Sequence, residues 1–361
     1  MAAPGRRVIF QLHLWAALTV GLVLLVVAVT GSFLVFRQEL DPVFNRDLFS
    51  VTPAAAPRPL DELVAAARRA HPDAKVDYVQ LARDPGASAQ VAFLDKRVVF
   101  LNPATAAVLG QRGRYEGFFG RSEQWHRFLL LGQVGTFLSR AGAMLTIFVL
   151  LTGFYLWLPA VLRVLRTGLV LDFQLKGRAW HFNLHKVIGF YAGGVVLVSA
   201  LTGLPQSFDW MVHGVYKGWG AAPAGPELHS TLPAAGAHNV PVQTWLEQAQ
   251  RLAPEAENRM IYFPRKPDAP VEIFSTERPG FHENPRSYLF LDAYSGAVLR
   301  AVPYGASTPG VKFYLAAMSL HFGQFGGWAG RIILLAGTLA VPILAVTGIA
   351  MFIRRSRRRS A

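Results

Sequence analysis

One arrangement, a histidine followed by an apolar stretch and a Thr-Gly pair, occurs four times in this chain and constrains its fold more than any other feature. The four combinations are His13 with Thr30, His126 with Thr152, His185 with Thr202, and His321 with Thr347. The spacing is 17 residues in the first and third cases and 26 in the other two, and the corresponding histidines lie 172 and 195 positions apart. This predicts a duplicated unit of two helices, with roughly 20 more residues in the loop of the second copy.

The composition predicts an integral membrane protein. Hydrophobic residues make up 52% of the 361 residues and charged residues only 16%, which is too apolar for a soluble protein. Four uncharged runs each exceed the roughly 20 residues that a helix needs to cross the hydrocarbon; they are residues 8–36, 141–162, 187–208 and 332–353. Arg6 and Arg7 resemble the start of a signal peptide, but the length of the run and His13 inside it favour a retained helix.

The net charge of +14 is interpreted as a topology signal. Eleven of these charges lie on the N terminus, on residues 163–186 and on the C-terminal tail, whereas the long loops at 37–127 and 209–312 are near neutral. By the positive-inside rule both termini are cytoplasmic and the long loops periplasmic, so we expect the bacterial inner membrane and no nucleic-acid partner. The absence of Cys excludes disulfides, iron–sulfur clusters and thiolate chemistry.

The expected fold class is membrane α+β, with four transmembrane helices from a duplicated two-helix unit and two periplasmic α+β domains. The boundaries are 8–36 for transmembrane helix 1, 37–125 for periplasmic domain 1, 126–162 for an interfacial half-helix plus transmembrane helix 2, 163–184 for a cytoplasmic loop, 185–208 for transmembrane helix 3, 209–312 for periplasmic domain 2, 313–353 for an interfacial half-helix plus transmembrane helix 4, and 354–361 for a basic cytoplasmic tail. The half-helices are placed at 128–139 and 322–330. Each periplasmic domain is predicted as a helix, at 60–69 or 242–252, followed by hairpins.

Histidines inside or beside a membrane span are costly and by default mark a functional site. His13 and His185 lie at matching depths in helices of the same direction. A pseudo-two-fold axis along the membrane normal would therefore place them as axial ligands of one haem near the cytoplasmic face. By the same symmetry His126 and His321 would hold a second haem near the outer face, with the irons on the order of 20 Å apart across a core of about 30 Å.

Several alternatives stay open. Zinc is a poor fit, because each site has two histidines without Cys or carboxylate nearby. His181 shares a helix face with His185, but its counterpart in the first copy is Ile9. Small residues either make room for a porphyrin or serve helix packing; they are Gly21, Gly189, Gly193 and Gly194. The Thr-Gly pairs are interpreted as packing and local helix distortion, because Thr can bond back to the preceding turn.

The remaining candidates are weaker. Arginines and lysines near the span ends either pair with haem propionates or anchor the helices at the membrane edge; they are Arg127, Arg140 and Arg331 on the outer side, and Arg7, Arg178 and Lys186 on the inner side. The other histidines have no duplicated counterparts and are expected to be solvated; they are His71, His213, His229, His238 and His282.

These motifs resemble the PepSY-associated transmembrane family over nearly the whole chain. The resemblance rests on the segments 125–127, 132–135 and 320–323, on the four Thr-Gly endings, and on the turns at 102–105 and 292–296. It implies that the periplasmic domains are PepSY-like and that haem b is bound by His13, His126, His185 and His321. The nearest type is the inner-membrane ferric-siderophore (ferrioxamine) reductase. One departure is Ala106, which replaces the glycine usual in the first PepSY turn.

The expected function is therefore that of an oxidoreductase with two haem b groups that reduces a ferric siderophore, of hydroxamate type, in the periplasm. Hard oxygen ligands hold Fe(III) far better than Fe(II), so reduction releases the metal. No nucleotide-binding motif is present, so the electron donor is expected to be a quinol or another protein. Two alternatives remain: an electron-transfer subunit for another periplasmic acceptor, or a non-catalytic membrane protein that binds peptides, regulates a partner or passes siderophores.

Overall fold

Uninterrupted apolar sequence forms helices long enough to cross a membrane. The computed structural model describes residues 4–53, 56–163, 168–220, 222, 228–232 and 239–357, and within them the candidate spans are Gly5–Leu34, Gly132–Leu158, Gly177–Ser207 and Trp328–Arg354. Many of their apolar side chains are exposed, among them Leu22 at 73% and Phe137 at 69%, as expected for surfaces that face lipid. The four predicted spans are confirmed.

The elements follow one another twice in the same order, apart from short helices near the spans. The helices are α1 (Pro4–Leu34), α2 (Arg37–Phe44), α3 (Arg46–Phe49), α4 (Leu60–Ala70), α5 (Gly117–Phe128), α6 (Gly132–Arg163), α7 (Gly177–Ser207), α8 (Asp209–Trp219), α9 (Val242–Leu252), α10 (Pro309–His321) and α11 (Trp328–Arg357). The strands are β1 (Val76–Ala82), β2 (Ala89–Phe93), β3 (Arg97–Leu101), β4 (Val108–Gly113), β5 (Asn258–Tyr262), β6 (Val271–Thr276), β7 (Arg286–Leu291) and β8 (Val298–Val302).

One compact unit, here called the helix unit, contains the four spans and comprises Met1–Phe36, Gly117–Met211 and Ala317–Ala361. In it α1 packs on α6 and α11, and α7 packs on α11 and α6. Small residues permit close contact at equivalent places: a Cβ on Gly142 would lie 2.8 Å from Val23, and one on Gly337 would lie 2.6 Å from Val195. Close packing at glycine is a common way to associate helices in lipid, and both copies use it.

The second compact unit, here called the sheet unit, comprises Arg37–Glu116 and Val212–Ala316. Its strands form a single antiparallel sheet in the order β4-β3-β2-β1-β5-β6-β7-β8. The two halves join where β1 pairs with β5, with Tyr78 opposite Tyr262. The two domains expected from the sequence therefore share one continuous sheet and one buried core, to which both α4 and α9 contribute.

Two helices of the sheet unit, α4 and α9, cap each other. Asp61 of α4 accepts hydrogen bonds from the backbone N–H groups of Val242 and Gln243 at the start of α9, at 2.9 and 3.1 Å. Gln243 returns the interaction, because its Oε1 accepts a hydrogen bond from the N–H of Leu60 at 3.0 Å. Asp61 and Gln243 are equivalent positions, 182 apart, so each satisfies otherwise unpaired N–H groups of its counterpart.

The offset between the copies shows where the second one is longer. It is 172 at His13, 182 at Leu60, 190 at Leu101 and 195 at His126, each counted to its counterpart in the second copy. Eight of the additional residues (190 minus 182) therefore lie in the hairpin between β6 and β7. The rest lie before α9 and after β8. The flexible entry expected around 220–236 falls largely outside the described residues.

The half-helices expected at 128–139 and 322–330 are wrong. The helices that precede the second and fourth spans are α5 and α10, and they end at Phe128 and His321. A tight reversal follows each, and α6 is already regular from Gly132. The reversals need glycine, because a Cβ on Gly135 would lie 1.7 Å from the carbonyl oxygen of Phe128, and one on Gly330 would lie 2.0 Å from that of Phe325. These glycines are 195 apart, like the histidines, whereas Arg140 and Arg331 are not equivalent.

The turn at Ala106 keeps its geometry despite the missing glycine. Ala106 adopts φ +58° and Gly296, its counterpart, φ +71°. The hydrogen bonds agree as well, with the N–H of Ala106 donating to Asn102 and that of Gly296 donating to Asp292, both at 2.9 Å. Ala106 therefore carries the cost of a left-handed conformation that glycine avoids.

We expect Ala106→Gly to stabilise the sheet unit by roughly 0.5–1 kcal/mol, because the left-handed cost of about 1–2 kcal/mol exceeds the backbone entropy that glycine adds, about 0.5–1 kcal/mol. The reciprocal control, Gly296→Ala, should destabilise it by about 1 kcal/mol, since its Cβ would also lie 3.1 Å from Thr244. Hydrogen exchange of peptides covering β3–β4 and β7–β8 in the full-length protein measures both. If both substitutions stabilise the sheet unit, or both destabilise it, the conformational cost assigned to Ala106 is wrong.

Asp61→Ala should destabilise the sheet unit more than Gln243→Ala does. Asp61 satisfies two N–H groups at a helix N terminus and carries a charge that favours the helix dipole, together about 1–2 kcal/mol. Gln243 satisfies one N–H and is neutral, so about 0.5–1 kcal/mol is expected. Hydrogen exchange of the α4 and α9 peptides checks this order, and protection lost only in the mutated helix would contradict mutual capping.

Candidate functional site

His126 and His321 lie at the C-terminal ends of the helices that precede the second and fourth spans. His126 lies in the last turn of α5, and His321 is the last residue of α10. Their ring centroids are 6.3 Å apart, with the ring planes inclined by 53°. Two imidazoles on opposite sides of one metal, each nitrogen about 2 Å from it, would have centroids roughly 6 Å apart. The structure thus brings these residues, here called the turn pair, to the separation that a shared metal requires.

His13 of α1 and His185 of α7 form a second pair, here called the span pair. His13 Nδ1 lies 3.1 Å from the carbonyl oxygen of Val149 in α6, and His185 Nδ1 lies 2.9 Å from Oγ1 of Thr347 in α11. Each imidazole is therefore tied to the other span of its own copy. The two rings interact electrostatically with one another, so the predicted partners do lie together in the bundle.

Three of the four imidazoles bond a carbonyl oxygen four residues before the glycine of a Thr-Gly pair: His126 Nδ1 bonds Val27 at 2.8 Å, His321 Nδ1 bonds Ser199 at 2.9 Å, and His13 Nδ1 bonds Val149 at 3.1 Å. The fourth, His185, bonds Oγ1 of Thr347, the residue before Gly348, at 2.9 Å. In an α-helix the Cβ of residue i+4 leans back over the carbonyl of residue i. Glycine at i+4 leaves that oxygen accessible to an incoming ring.

The imidazoles occupy the space that a side chain would take at these glycines. A Cβ placed on the glycine would lie 2.6 Å from the histidine Cε1 at Gly203 with His321, 2.9 Å at Gly31 with His126, 3.2 Å at Gly153 with His13, and 3.6 Å at Gly348 with His185. Glycine is therefore required in the turn pair and is least constrained at Gly348. The interpretation of the Thr-Gly pairs as packing alone was incomplete, because they form the seats of the histidines.

The threonines bond back to the preceding turn, as expected. Thr347 donates to the carbonyl of Ile343 at 2.7 Å, and Thr152 donates to that of Phe148 at 2.8 Å. Having used its proton, Thr347 Oγ1 can only accept from His185, and a carbonyl oxygen can likewise only accept. Nδ1 therefore carries the proton in each ring and Nε2 keeps its lone pair, which is the state of a metal-binding histidine oriented by a second hydrogen bond.

The two pairs lie in separate layers of the bundle. His13 of α1 belongs to the span pair. The carbonyl of Val27, 14 residues further along α1, accepts the hydrogen bond of His126 in the turn pair. The same 14 residues separate His185 from Ser199 in α7. At 1.5 Å per residue the layers are about 21 Å apart along the helices. This agrees with the separation of about 20 Å that the sequence predicted from the membrane thickness.

The turn pair, which lies outside the four spans, is electrically neutral at pH 7. Burial, assisted by the neighbouring His321, lowers the pKa of His126 to about 4. Burial also lowers the pKa of His321, against the opposing effect of its bond to Ser199. Neutral imidazole is the form that binds a metal.

The other histidines differ from these four. His181, the rival of His185, has a buried Nδ1 without a hydrogen-bond partner among the described residues. In the sheet unit, His71 bonds Asp95 at 2.7 Å and His282 bonds Tyr304 at 2.8 Å, whereas His213 and His229 are exposed. His238 lies outside the described residues. Within the described part of the chain, no group of three or more His, Asp or Glu is placed to hold a metal ion.

The candidate cations also differ from one another. Arg331 is only 4% exposed and lies over the ring of Trp328, whereas Arg140 is exposed and lies 5.4 Å from the ring of Phe208. Arg127 forms an ion pair with Glu123 at 3.1 Å. On the other side Arg7 and Arg178 are exposed and Lys186 is half-buried. A buried cation beside the end of α10 is therefore provided by Arg331.

The glycines offered as room for a flat cofactor divide into two groups. A Cβ on Gly21 or on Gly194 would meet nothing within 4 Å. One on Gly193 would lie 3.1 Å from Phe154, and one on Gly189 would lie 3.6 Å from Leu344. Gly194 is exposed and Gly21 partly exposed, so both open onto the surface of their spans, whereas Gly189 and Gly193 serve helix packing.

A family model described as the PepSY-associated TM region matches residues 10–355. The chain belongs to this family. The match includes both histidine pairs and all four Thr-Gly pairs, and it confirms the family expected from the sequence. No curated protein matches the chain.

Proposed function

We propose that this member of the PepSY-associated transmembrane family is an inner-membrane oxidoreductase that carries two haem b groups and reduces ferric siderophore on the periplasmic side. The observation that supports it most is the arrangement of four imidazoles in two layers, each with Nδ1 hydrogen-bonded to a carbonyl or threonine oxygen of another helix, which keeps the lone pair on Nε2. Proposed ligands are His13 and His185 in the span pair, and His126 and His321 in the turn pair.

The donor set fits haem better than a lone metal ion. Each pair offers two neutral imidazoles and no third protein ligand among the described residues, whereas zinc sites use three or four. A haem iron takes four ligands from the porphyrin and would need only the two histidines of one pair. The buried charge of Arg331 would suit the carboxylates of such a group. When bound, haem would supply one-electron chemistry between Fe(III) and Fe(II).

The protein's own residues set the properties of such a site. The bond from Nδ1 to the carbonyl or threonine oxygen fixes the orientation of each ring and raises the basicity of Nε2. The stiff span between His13 and Val27 fixes the distance between the two layers. Arg331 adds a buried positive charge near the end of α10, which would favour the reduced state of a metal held there.

The orientation follows from the distribution of charge. Among the described residues, the basic side chains of Arg6, Arg178 and Arg354 lie at the same end of the spans, where Arg6 donates a hydrogen bond to the carbonyl of Leu156 at 2.8 Å and a Cβ on Gly177 would lie 3.2 Å from Arg354. The positive-inside rule favours a cytoplasmic position for that end and a periplasmic one for the sheet unit. The electron donor is proposed to be a quinol or another protein. Transfer of one electron to the siderophore-bound Fe(III) gives Fe(II), which hard oxygen ligands release.

The first test is the absorbance spectrum of the purified full-length protein. We expect two haems per chain in the wild-type protein. His321→Ala or His185→Ala should contain one haem, because removing one histidine of a pair removes a ligand that its haem needs to stay bound. His181→Ala is the control and should retain both. A haem assay and the Soret band measure the content, and colourless wild-type protein would exclude the proposal.

Reduction of the substrate is a separate measurement. Dithionite-reduced protein, freed of excess reductant, should be reoxidised by a ferric hydroxamate siderophore at one electron per iron. The gallium(III) complex of the same siderophore is the matched control, because it has the same shape and charge but cannot accept the electron. Haem that ferric siderophore leaves reduced would favour the electron-transfer subunit.

The glycine seats give a finer test. Gly203→Ala places a Cβ 2.6 Å from the His321 ring, whereas Gly348→Ala places one 3.6 Å from the His185 ring. Both substitutions improve helix propensity by about 1 kcal/mol, so neither should unfold its helix. We expect Gly203→Ala to lose haem from the turn pair and Gly348→Ala to keep both haems. Equal haem contents in the two variants would contradict the role assigned to the seats.

A further inference from the structure

The sheet unit contains a cavity that the proposed function does not use. It has a volume of about 500 Å³ and is lined by the first turn of α4, one face of α9, the end of β1 and the start of β2. This lies within the range of small-molecule sites, roughly 300–1,000 Å³. Its walls combine apolar residues, including Leu63 and Leu81, with polar ones, including Ser88, Gln250 and Arg259.

Comparison of the two halves of the sheet unit explains how this cavity arises. Trp245 and Phe263 of the second half stand 182 positions after Leu63 and Leu81. Their rings are in contact, with centroids 5.3 Å apart, and Trp245 is fully buried. The first half has two smaller aliphatic side chains in these places, so the volume that two aromatic rings fill in one half stays open in the other.

A second sequence difference between the halves also leaves the cavity unfilled in the first half. In the second half Ser230 enters the core, where its Oγ donates to the carbonyl of Ala269 at 2.9 Å and accepts from the N–H of Ala293 at 3.0 Å. In the first half, Ala87 corresponds to Ala269 and Pro103 corresponds to Ala293, and both line the cavity. Proline has no N–H to offer, so the same internal plug cannot form there.

The cavity wall contains a buried cation without a counter-ion. Arg259 is 8% exposed, and Nη2 donates to the carbonyls of Ala253 and Pro254. Among the described residues its Nε has no hydrogen-bond partner, no carboxylate forms an ion pair with it, and the charge that acts on it is that of Arg83. Its counterpart, Asp77, is ion-paired with Arg265 at 2.8 Å. A buried unpaired charge is costly and calls for a partner.

Ser88 is a second polar group in the lining of the cavity. It is 5% exposed, and within the described part of the chain its Oγ has no hydrogen-bond partner. A hydroxyl and a guanidinium N–H are both donors to an anionic oxygen. With Nη2 already engaged by carbonyls, the remaining capacity suits a single negative charge better than a doubly charged phosphate.

We propose that this cavity binds a carboxylate-bearing molecule, with the carboxylate at Arg259 and Ser88 and an apolar body against Leu63 and Leu81. The carboxylate belongs either to a free organic acid or to the C terminus of a short peptide, and both sources share the same recognition. The proposal concerns the sheet unit alone and does not rest on the histidine pairs.

Calorimetric titration of the full-length protein in detergent tests the site. The probes are indole-3-acetate and the tripeptide Ala-Ala-Phe, each compared with its neutral amide. We expect at least one of the two acids to bind, and its amide to bind at least tenfold more weakly, because only the acid supplies a partner for Arg259. Binding of indole-3-acetate alone identifies a free acid as the ligand class, and binding of the tripeptide alone identifies a peptide C terminus.

Variants distinguish binding in the cavity from binding at the protein surface. Arg259→Gln should weaken binding of the acid at least tenfold, and Leu81→Phe should do the same by filling the space as Phe263 does in the second half. Arg278→Gln is the control, because that arginine is exposed and outside the cavity. Haem content and hydrogen exchange of the core strands report whether each variant is folded. Failure of both acids to bind, equal binding of acid and amide, or full binding by Arg259→Gln and Leu81→Phe would overturn the proposal.

Discussion

The hydrogen bond from a histidine Nδ1 to a main-chain carbonyl is the interaction on which the helix unit depends. His13, His126 and His321 make it, each to a carbonyl that the glycine one turn later leaves accessible, and His185 bonds the threonine beside the fourth glycine. Without the glycine the ring has no access to the oxygen, and without the bond the imidazole has no fixed tautomer. Histidine and glycine thus form a single device that spans two helices, and this explains why they recur together in the sequence.

The same device has a mechanical role. His13 joins α1 to α6 towards one end of these spans, and His126 joins α5, the helix that leads into α6, to α1 towards the other end. The second copy repeats this through His185 and His321. Hydrogen bonds between membrane helices contribute about 0.6 kcal/mol each on average. The positions of the rings are therefore set by packing that the bonds refine.

Much of this architecture could be predicted from the sequence. The spans were evident because apolar runs of such length rarely occur outside membrane helices, and α4 and α9 begin and end within a residue of their expected bounds because helical spacing is a local signal. The shared sheet was missed, since the pairing of β1 with β5 is non-local and leaves no pattern in either strand. The half-helices were misplaced because Leu129 and Leu130 adopt positive φ, which apolar sequence does not indicate. The Thr-Gly pairs were noticed, but spacing alone could not show that each glycine faces a histidine from another helix.

The junction between β1 and β5 gives the chain a property that one copy alone would lack. A protein of half this length would end its sheet at β1 and expose the unpaired N–H and C=O groups of that edge, a template for association with another chain. It would also hold only one imidazole of each pair, since His126 and His321 come from different copies. Only a symmetric homodimer of such a protein would restore both features. Linking the two copies in one chain makes the continuous sheet and the facing imidazoles independent of protein concentration.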